Sequence, residues 1–196
     1  MAGARIEVDV KVPSLERAAK ELAGEQRTEL LGDIGEYLMR STRERAAKEI
    51  APDGTPWQAL SPRYKRWKDQ KRPGVPKLKF DFHMLGDRFT FQVAGDTLLV
   101  GTSAKYGAAH QFGGEINIKA RQSTVHFKRD RRTGDVGNRF VKRRSSNFAQ
   151  SVLIPAYKVT MPARPYLGLS SEDDVEVAAI IQQRLDDALD ASRTGD

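Results

Sequence analysis

Apolar residues switch between two kinds of spacing along this 196-residue chain, and no other feature constrains its fold as strongly. Near both ends they recur every three or four positions, the spacing that places them on one face of a helix. Between these stripes, short segments alternate apolar with polar residues, as half-buried strands do. The order predicts an α+β fold, a small antiparallel β-sheet with a long N-terminal helix and a C-terminal helix. The first stripe is Leu15, Ala18, Ala19, Leu22, Leu30, Ile34 and Leu38, and the second is Val177, Ile181, Leu185 and Leu189.

Three segments have the alternating pattern of strands. Residues 5–12 predict a first strand, which Pro13 ends. Residues 88–102 predict a hairpin that turns at Ala94-Gly95-Asp96. A second hairpin is predicted with legs over about 122–128 and 150–161, joined by a long tip.

The long N-terminal helix is predicted from residue 14 to about residue 50. Gly24, Gly32 and Gly35 weaken its pattern, so one long helix and two broken helices are both compatible with the sequence. A short helix is predicted over about 62–71, because Ser61 can cap it and Pro62 suits its first position. The pair Gly113-Gly114 predicts backbone with positive φ.

The tip of the second hairpin is strongly basic. Ten Lys or Arg residues lie between Lys119 and Arg144, opposed only by Asp130 and Asp135, and three phenylalanines interleave with them. We predict a single domain over 1–196, with a core over about 5–118 and 150–190 and an extended basic β-hairpin arm over about 119–149. A solvated loop is the alternative, but such a loop has little use for three phenylalanines. The predicted partner-contact residues are Phe127, Lys128, Arg129, Arg131, Arg132, Arg139, Phe140, Lys142, Arg143, Arg144 and Phe148.

The formal net charge of +7 indicates an acidic partner, either nucleic acid or an acidic protein surface. The chain has no cysteine, so synthesis in a reducing cytosol is permissible. Its first residues lack the apolar core of a signal peptide, and no stretch approaches the roughly 18 apolar residues of a membrane span. No membrane partner is expected.

No segment has the residue pattern of a catalytic or metal site. His83, His110 and His126 lie outside metal-binding spacings. His110 could act as a base or pack at a turn, and packing is favoured because no nucleophile or orienting carboxylate is near it in sequence. The carboxylates at 172–174 suit the start of a helix. We predict a protein that is not an enzyme, with no catalytic, cofactor-binding or metal-binding residues and no cofactor.

Four blocks of the sequence, in this order along the chain, resemble those of the Mu-like phage virion morphogenesis (tail completion) family. They are residues 52–57 with 60–62 (PDGTPW, LSP), 101–102 with 106–114 (GT, YGAAHQFGG), 138–142 with 146–150 (NRFVK, SNFAQ) and 162–170 (PARPYLGLS). One segment departs from the family. Residues 78–86 lack the Thr-Gly pair that usually precedes the first hairpin, so a different local turn is expected there.

The resemblance implies a structural virion protein of a tailed phage, made in the bacterial host cytoplasm and located in the tail or at the head–tail junction. It implies tail completion or head–tail joining by a neck component that assembles as a homo-oligomeric ring, six-fold as phage tails are. The implied partners are other phage neck and tail proteins and further copies of the chain, with possible contact to packaged DNA. A tail terminator that caps the tail tube and a basic DNA-binding phage protein are the alternatives. Arg164 and Tyr166 are possible interface residues, and Arg164 could instead satisfy nearby carbonyls.

Overall fold

A computed structural model of the protein describes residues 4–7, residue 22 and residues 24–194. It contains α-helices and short antiparallel β-strands. The predicted α+β class is confirmed. The elements are β1 (Ala4–Glu7), α1 (Gly24–Lys48), α2 (Pro62–Lys71), β2 (Phe89–Ala94), β3 (Thr97–Thr102), α3 (Gly107–Phe112), β4 (Gly114–Ile118), β5 (Arg121–Phe127), β6 (Phe148–Ile154), β7 (Tyr157–Met161) and α4 (Ser171–Thr194).

Helix α1 begins at Gly24, whose φ is 49°, and is continuous through Gly32 and Gly35, so a break at either of these two glycines is wrong. A break at Gly24 stays a prediction. Its buried stripe includes Leu30, Ile34 and Leu38, as predicted. Gly35 lies on this buried side, where a Cβ would come within 2.6 Å of the Phe91 ring on β2. The glycine therefore lets helix and sheet approach closely. The predicted helix start and the apolar residues at 15, 18 and 19 lie outside the described residues.

The first sheet has three antiparallel strands in the order β1-β3-β2. The predicted hairpin is confirmed, with Phe89 opposite Thr102 and Ala94 opposite Thr97. Gly95 supplies the positive φ (59°) that its tight turn needs. Strand β1 confirms the start of the first predicted strand, and residues 8–12 lie outside the described part.

The core lies where α1 packs against β2, β3 and α4. Side chains of α4 contribute Val177, Ile181 and Leu185, three of the four residues of its predicted stripe. The fourth prediction is wrong, because Leu189 is 51% exposed. An ion pair between Arg184 of α4 and Asp33 of α1 flanks this helix contact at 2.5 Å.

The segment that departs from the family forms a wide helical turn at His83–Asp87. Phe82, just before it, has a left-handed backbone with a φ of 58°. The turn places Met84 and Leu85 in the core. Its apolar residues therefore help to close the core. That this turn differs from the family's stays a prediction.

The described residues form two compact units, one within residues 1–114 and 162–196 and the other over residues 115–161. In the second unit, β5 pairs antiparallel with β6 from Arg121↔Ile154 to Phe127↔Phe148, and β4 pairs with β7. The predicted second leg over 150–161 is therefore two strands, and β4 was not predicted. Its segment, Glu115-Ile116-Asn117-Ile118, has too few alternations to stand out as a strand. The single domain with an arm over about 119–149 stays a prediction.

Candidate assembly surfaces

Residues 162–170, just before α4, are held by side chains from two distant segments. The Trp57 indole donates to the Pro165 carbonyl at 2.7 Å. The Gln111 amide oxygen accepts from the backbone N–H groups of Tyr166 and Leu167, each at 3.0 Å, and its nitrogen donates to the Leu167 carbonyl at 3.0 Å. We call Trp57, Gln111 and residues 162–170 the hub. Its contacts fix the backbone that leads into α4.

The two candidate interface residues, Arg164 and Tyr166, lie inside this hub. They are 5% and 1% exposed. The Arg164 guanidinium donates to the carbonyls of Gln58 (3.1 Å) and Ala59 (3.3 Å), and burial lowers its pKa. Burial also raises the pKa of Tyr166, whose hydroxyl has no hydrogen-bond partner among the described residues. Their interface role stays a prediction, and the observed contacts are structural.

The first turn of α4 is anchored by Asp173, which is 0% exposed. Its carboxylate accepts from Arg45, Tyr37 and the Ser170 backbone N–H, while its own N–H donates to the Ser170 hydroxyl oxygen at 3.2 Å. Burial alone would raise the pKa of Asp173, but the hydrogen bonds and the Arg45 charge hold it below its usual value. Burial and this carboxylate raise the pKa of Tyr37 to about 12. The predicted capping role of residues 172–174 is thus observed at the central one.

His110 packs rather than standing open to a substrate. Its ring meets Tyr106 edge-on, with centroids 5.9 Å apart, and its backbone carbonyl accepts the Arg164 N–H at 2.7 Å. The Nδ1 atom is buried with no hydrogen-bond partner among the described residues. Burial, with the nearby Arg164 charge, lowers the pKa of His110. Just beyond it, Gly113 and Gly114 have φ values of 68° and 134°, as predicted.

The second unit, residues 115–161, has no buried residue. The strand register places five apolar side chains on one face of the β5–β6 ribbon. All five keep partial exposure, and Leu153 on the opposite face is 69% exposed. A two-stranded ribbon is marginally stable in water without such a face being covered. The apolar face consists of Val125, Phe127, Phe148, Val152 and Ile154.

Polar side chains order the tip of this ribbon. The Asn147 amide bonds both the N–H and the carbonyl of Arg129, at 2.6 and 2.7 Å. The Ser146 hydroxyl donates to the Phe127 carbonyl at 2.9 Å. Asp130 accepts the N–H groups of Arg132 and Thr133, and these hydrogen bonds lower its pKa. The tip therefore has a defined backbone without a hydrophobic core.

The tip also displays the predicted contact residues. All eight basic residues from Lys128 to Arg144 are exposed, and within residues 24–194 none forms a salt bridge. Arg129 alone among them bends back, donating to the Gly134 carbonyl at 2.8 Å. Phe140 is 75% exposed and lies 5.2 Å from the Phe127 ring. The structure thus brings Phe127, Phe140 and Phe148 to one end of the ribbon beside the cations, and their role in binding a partner stays a prediction.

A model of the phage virion morphogenesis family matches residues 10–186 of this chain. The chain belongs to the phage virion morphogenesis family. No match was found among curated proteins or among solved structures.

Three of the blocks that resemble this family meet in the hub of the virion morphogenesis protein. Trp57 comes from the first block, Gln111 from the second, and Pro165, Tyr166 and Leu167 from the last. Gly168 of the last block approaches the first so closely that a Cβ would lie 2.9 Å from Pro52 Cγ. The remaining block, residues 138–150, lies in the second unit. The family pattern therefore marks a folding constraint at the hub and a separate surface on the ribbon.

Membership associates the protein with phage virion assembly. No group of three metal-ligating side chains occurs among its described residues. No helix in the described ranges is long and apolar enough to cross a bilayer.

Two exposed surfaces were missed in the sequence. On α2 the Tyr64 ring lies 5.4 Å from the Trp67 ring, Trp67 stacks on Phe80 with centroids 5.2 Å apart, and the Arg72 guanidinium lies 5.4 Å from the Phe80 ring centre. The three-residue spacing of Tyr64 and Trp67 can be seen in the sequence, but only the fold brings Phe80 to Trp67. The other surface is the outer face of α4, where Val175 is 69% exposed. Helical periodicity places Val175 opposite the buried stripe and could have revealed it.

Proposed function

We propose that this virion morphogenesis protein is a neck component that completes the tail and joins it to the filled head. It assembles as a homo-oligomeric ring, six-fold to match the tail, and contacts other neck and tail proteins. The family match supports a role in virion assembly. The ring and the junction are our inference from the exposed ribbon.

The observation that carries the proposal is the absence of any buried residue in residues 115–161. The phenylalanines of this ordered ribbon stay partly in contact with water unless a partner covers them, and burying such apolar surface is favourable. A ring at a junction supplies neighbours on every side, and head-to-tail contacts close such rings. Exposed aromatic anchors beside basic residues are the composition that dominates protein interfaces.

Replacing residues 128–147 by Asn-Gly tests the proposal. The two residues form a tight turn between Phe127 and Phe148, which are already paired across the ribbon. No buried residue is removed, so the melting temperature should stay within a few degrees of wild type. In a phage lacking the gene, the variant should yield filled heads and separate, unjoined tails.

Electron microscopy of those lysates gives the readout, and wild-type protein supplied in the same way is the control. Normal virions from the variant would reject the proposed role of the tip. Unfolding of the variant would show that the tip is a structural part of the protein and that the arm is wrongly defined. Tails of irregular length, with joining intact, would favour the tail terminator.

A DNA-contact role is the second candidate, favoured by the eight cations of the tip, which form no salt bridge within residues 24–194. If they bind duplex phosphates, the logarithm of affinity should fall steeply with the logarithm of salt, by up to about 0.9 per phosphate neutralised. Binding of labelled duplex from about 50 to about 300 mM salt measures this slope. The Asn-Gly variant should then lose most of the slope, whereas a protein-only contact leaves both proteins with weak, similar DNA binding.

A further inference from the structure

Two surfaces of this chain carry opposite charge. The ribbon unit, residues 115–161, has 11 Lys or Arg against 3 Asp or Glu. Helix α4 has 7 Asp or Glu against 2 Arg. One of the seven, Asp173, is buried against Arg45, and the others lie on the exposed part of the helix. Charge of this distribution favours contact between copies of the chain.

The outer face of α4 is an acidic stripe with apolar residues at its centre. Glu172, Glu176 and Asp186 are exposed and fall on the side opposite Val177 and its buried neighbours. Within the described residues, none of these three carboxylates takes part in a salt bridge. Between them lie Val175, which is 69% exposed, and Ala179. We call these five residues the α4 stripe.

The ribbon presents the complementary composition. Its apolar face has five partly exposed side chains, and its tip adds eight cations without salt bridges in the described residues. The two surfaces also match in length. Seven residues of β5 extend about 20 Å, and the α4 stripe extends about 21 Å from Glu172 to Asp186.

We propose that the ribbon of one copy docks along the α4 stripe of a second copy. This deepens the proposed function, on which it rests, by naming the surface that each ring neighbour uses. The contact is head-to-tail, because each copy offers one ribbon and one stripe, and such contacts can close a ring. Apolar side chains meet Val175 and Ala179, and tip cations meet the carboxylates. A nucleic acid would satisfy the cations but would leave the apolar face uncovered.

Charge reversal on either surface tests the contact in the full-length chain. The ribbon variant changes Arg131, Arg132, Arg143 and Arg144 to Glu. The stripe variant changes Glu172, Glu176 and Asp186 to Lys. A control variant changes Glu25, Glu36 and Asp81 to Lys, three exposed acids elsewhere that alter net charge by the same amount as the stripe variant. Thermal melts confirm folding, and if the stripe variant fails to fold, E172Q/E176Q/D186N replaces it.

Sedimentation at low salt measures self-association. Wild type and control should associate equally. Each reversal variant alone should associate at least about a hundredfold more weakly, because like charges then face each other. An equimolar mixture of the two variants should recover association, since each reversed ribbon then finds a reversed stripe on the other chain. Recovery requires contact between copies and excludes a ribbon that only folds back on its own helix.

Three results would overturn the inference. One is a wild-type chain that stays monomeric at low salt and high concentration. Another is a stripe variant that associates as well as the control. The third is loss of association in both variants without recovery in the mixture. Failure of the proposed function would give a different set of results. The mixture of variants would still recover association, but the protein would be missing from virions and deleting its gene would leave head–tail joining intact.

Discussion

Among single residues, those of the hub show how buried polar groups determine a local structure. Gln111 uses both ends of its amide on residues 166 and 167, so three backbone groups of a loop are satisfied by one side chain. Arg164 does the same for two carbonyls. The loop can therefore be buried without secondary structure of its own. Tyr166 differs, because its contribution is apolar and its hydroxyl has no partner among the described residues.

Substitutions in the hub should separate these contributions. Tyr166→Ala should cost about 3–5 kcal/mol of unfolding free energy, as large aromatic deletions in cores do. Tyr166→Phe should cost little or stabilise, because it removes a buried hydroxyl that the described residues leave unsatisfied. Arg164→Ala should cost less than Tyr166→Ala, about 1–3 kcal/mol, for two carbonyls left unpaired. Urea unfolding of the three variants measures the order, and equal losses for both alanine variants would remove the case for Arg164 as an interface residue.

His110 should make stability depend on pH. Burial lowers its pKa in the folded state below the usual value of about 6.5, so the unfolded state binds the proton more tightly. The stability that the neutral His110 side chain contributes is fully present above about pH 6.5. It is lost as pH falls from there towards the folded-state pKa. The melting temperature of His110→Gln should therefore fall less than that of wild type between about pH 7.5 and about pH 5.5. Parallel curves for the two proteins would contradict this assignment.

Among the helices and strands, α1 shows that equivalent residues in one element have different roles. Gly32 has open space around its Cα, whereas Gly35 packs against Phe91. Helix propensity alone makes both glycines unfavourable, so from propensity the helix could break at either one. The helix is continuous because its buried face packs on the sheet and on α4, and tertiary packing outweighs the intrinsic cost of two glycines.

Alanine substitution at the two glycines should have opposite effects. Gly32→Ala should raise the unfolding free energy by up to about 1 kcal/mol, because it improves helix propensity and meets no neighbour. Gly35→Ala should lower it by about 1–3 kcal/mol, because the methyl group overlaps the Phe91 ring. Chemical denaturation measures both. If Gly35→Ala were as stable as Gly32→Ala, the close approach of α1 and β2 would not be a constraint.

Across the whole molecule, positive charge is concentrated in the unit that lacks buried residues, residues 115–161. The other unit contains the core and the hub. Its composition gives a near balance of charge, so the net +7 of the chain comes from the ribbon. Stability therefore depends on the first unit, whereas the proposed assembly contact joins the basic ribbon to the outer face of α4 in that unit.

Paired substitutions in the arm should show which chemistry its partner uses. Phe140→Ala with Phe148→Ala should reduce the yield of infective phage by more than about tenfold, since aromatic anchors carry most of the energy of an interface. Arg131→Gln with Arg132→Gln should reduce it less, because exposed charge contacts contribute little each. Complementation of a phage lacking the gene, scored by titre, compares the two. An essential arginine pair with a dispensable phenylalanine pair would move DNA contact ahead of protein contact.

The amino-acid sequence alone specifies the elements whose signals are local. The stripe of α1 from Leu30 to Leu38, the hairpin at Gly95, the cap of α2 at Ser61 and the basic tip all follow from spacing, turn chemistry or charge within a few residues. Family membership was also readable, because each of the four blocks lies within a short stretch of sequence.

Features that depend on contacts between distant residues emerge only in the folded chain. Gln111 gives no local sign that it will hold residues 166 and 167, some 55 positions away. Leu189 fits the stripe of α4 by its four-residue spacing, yet its side chain is exposed, while Ala188 one position earlier packs against the core. Strand β4 is recognisable only through its pairing with β7. In each case the free energy comes from a partner far along the chain, and a local pattern contains no information about which partner that is.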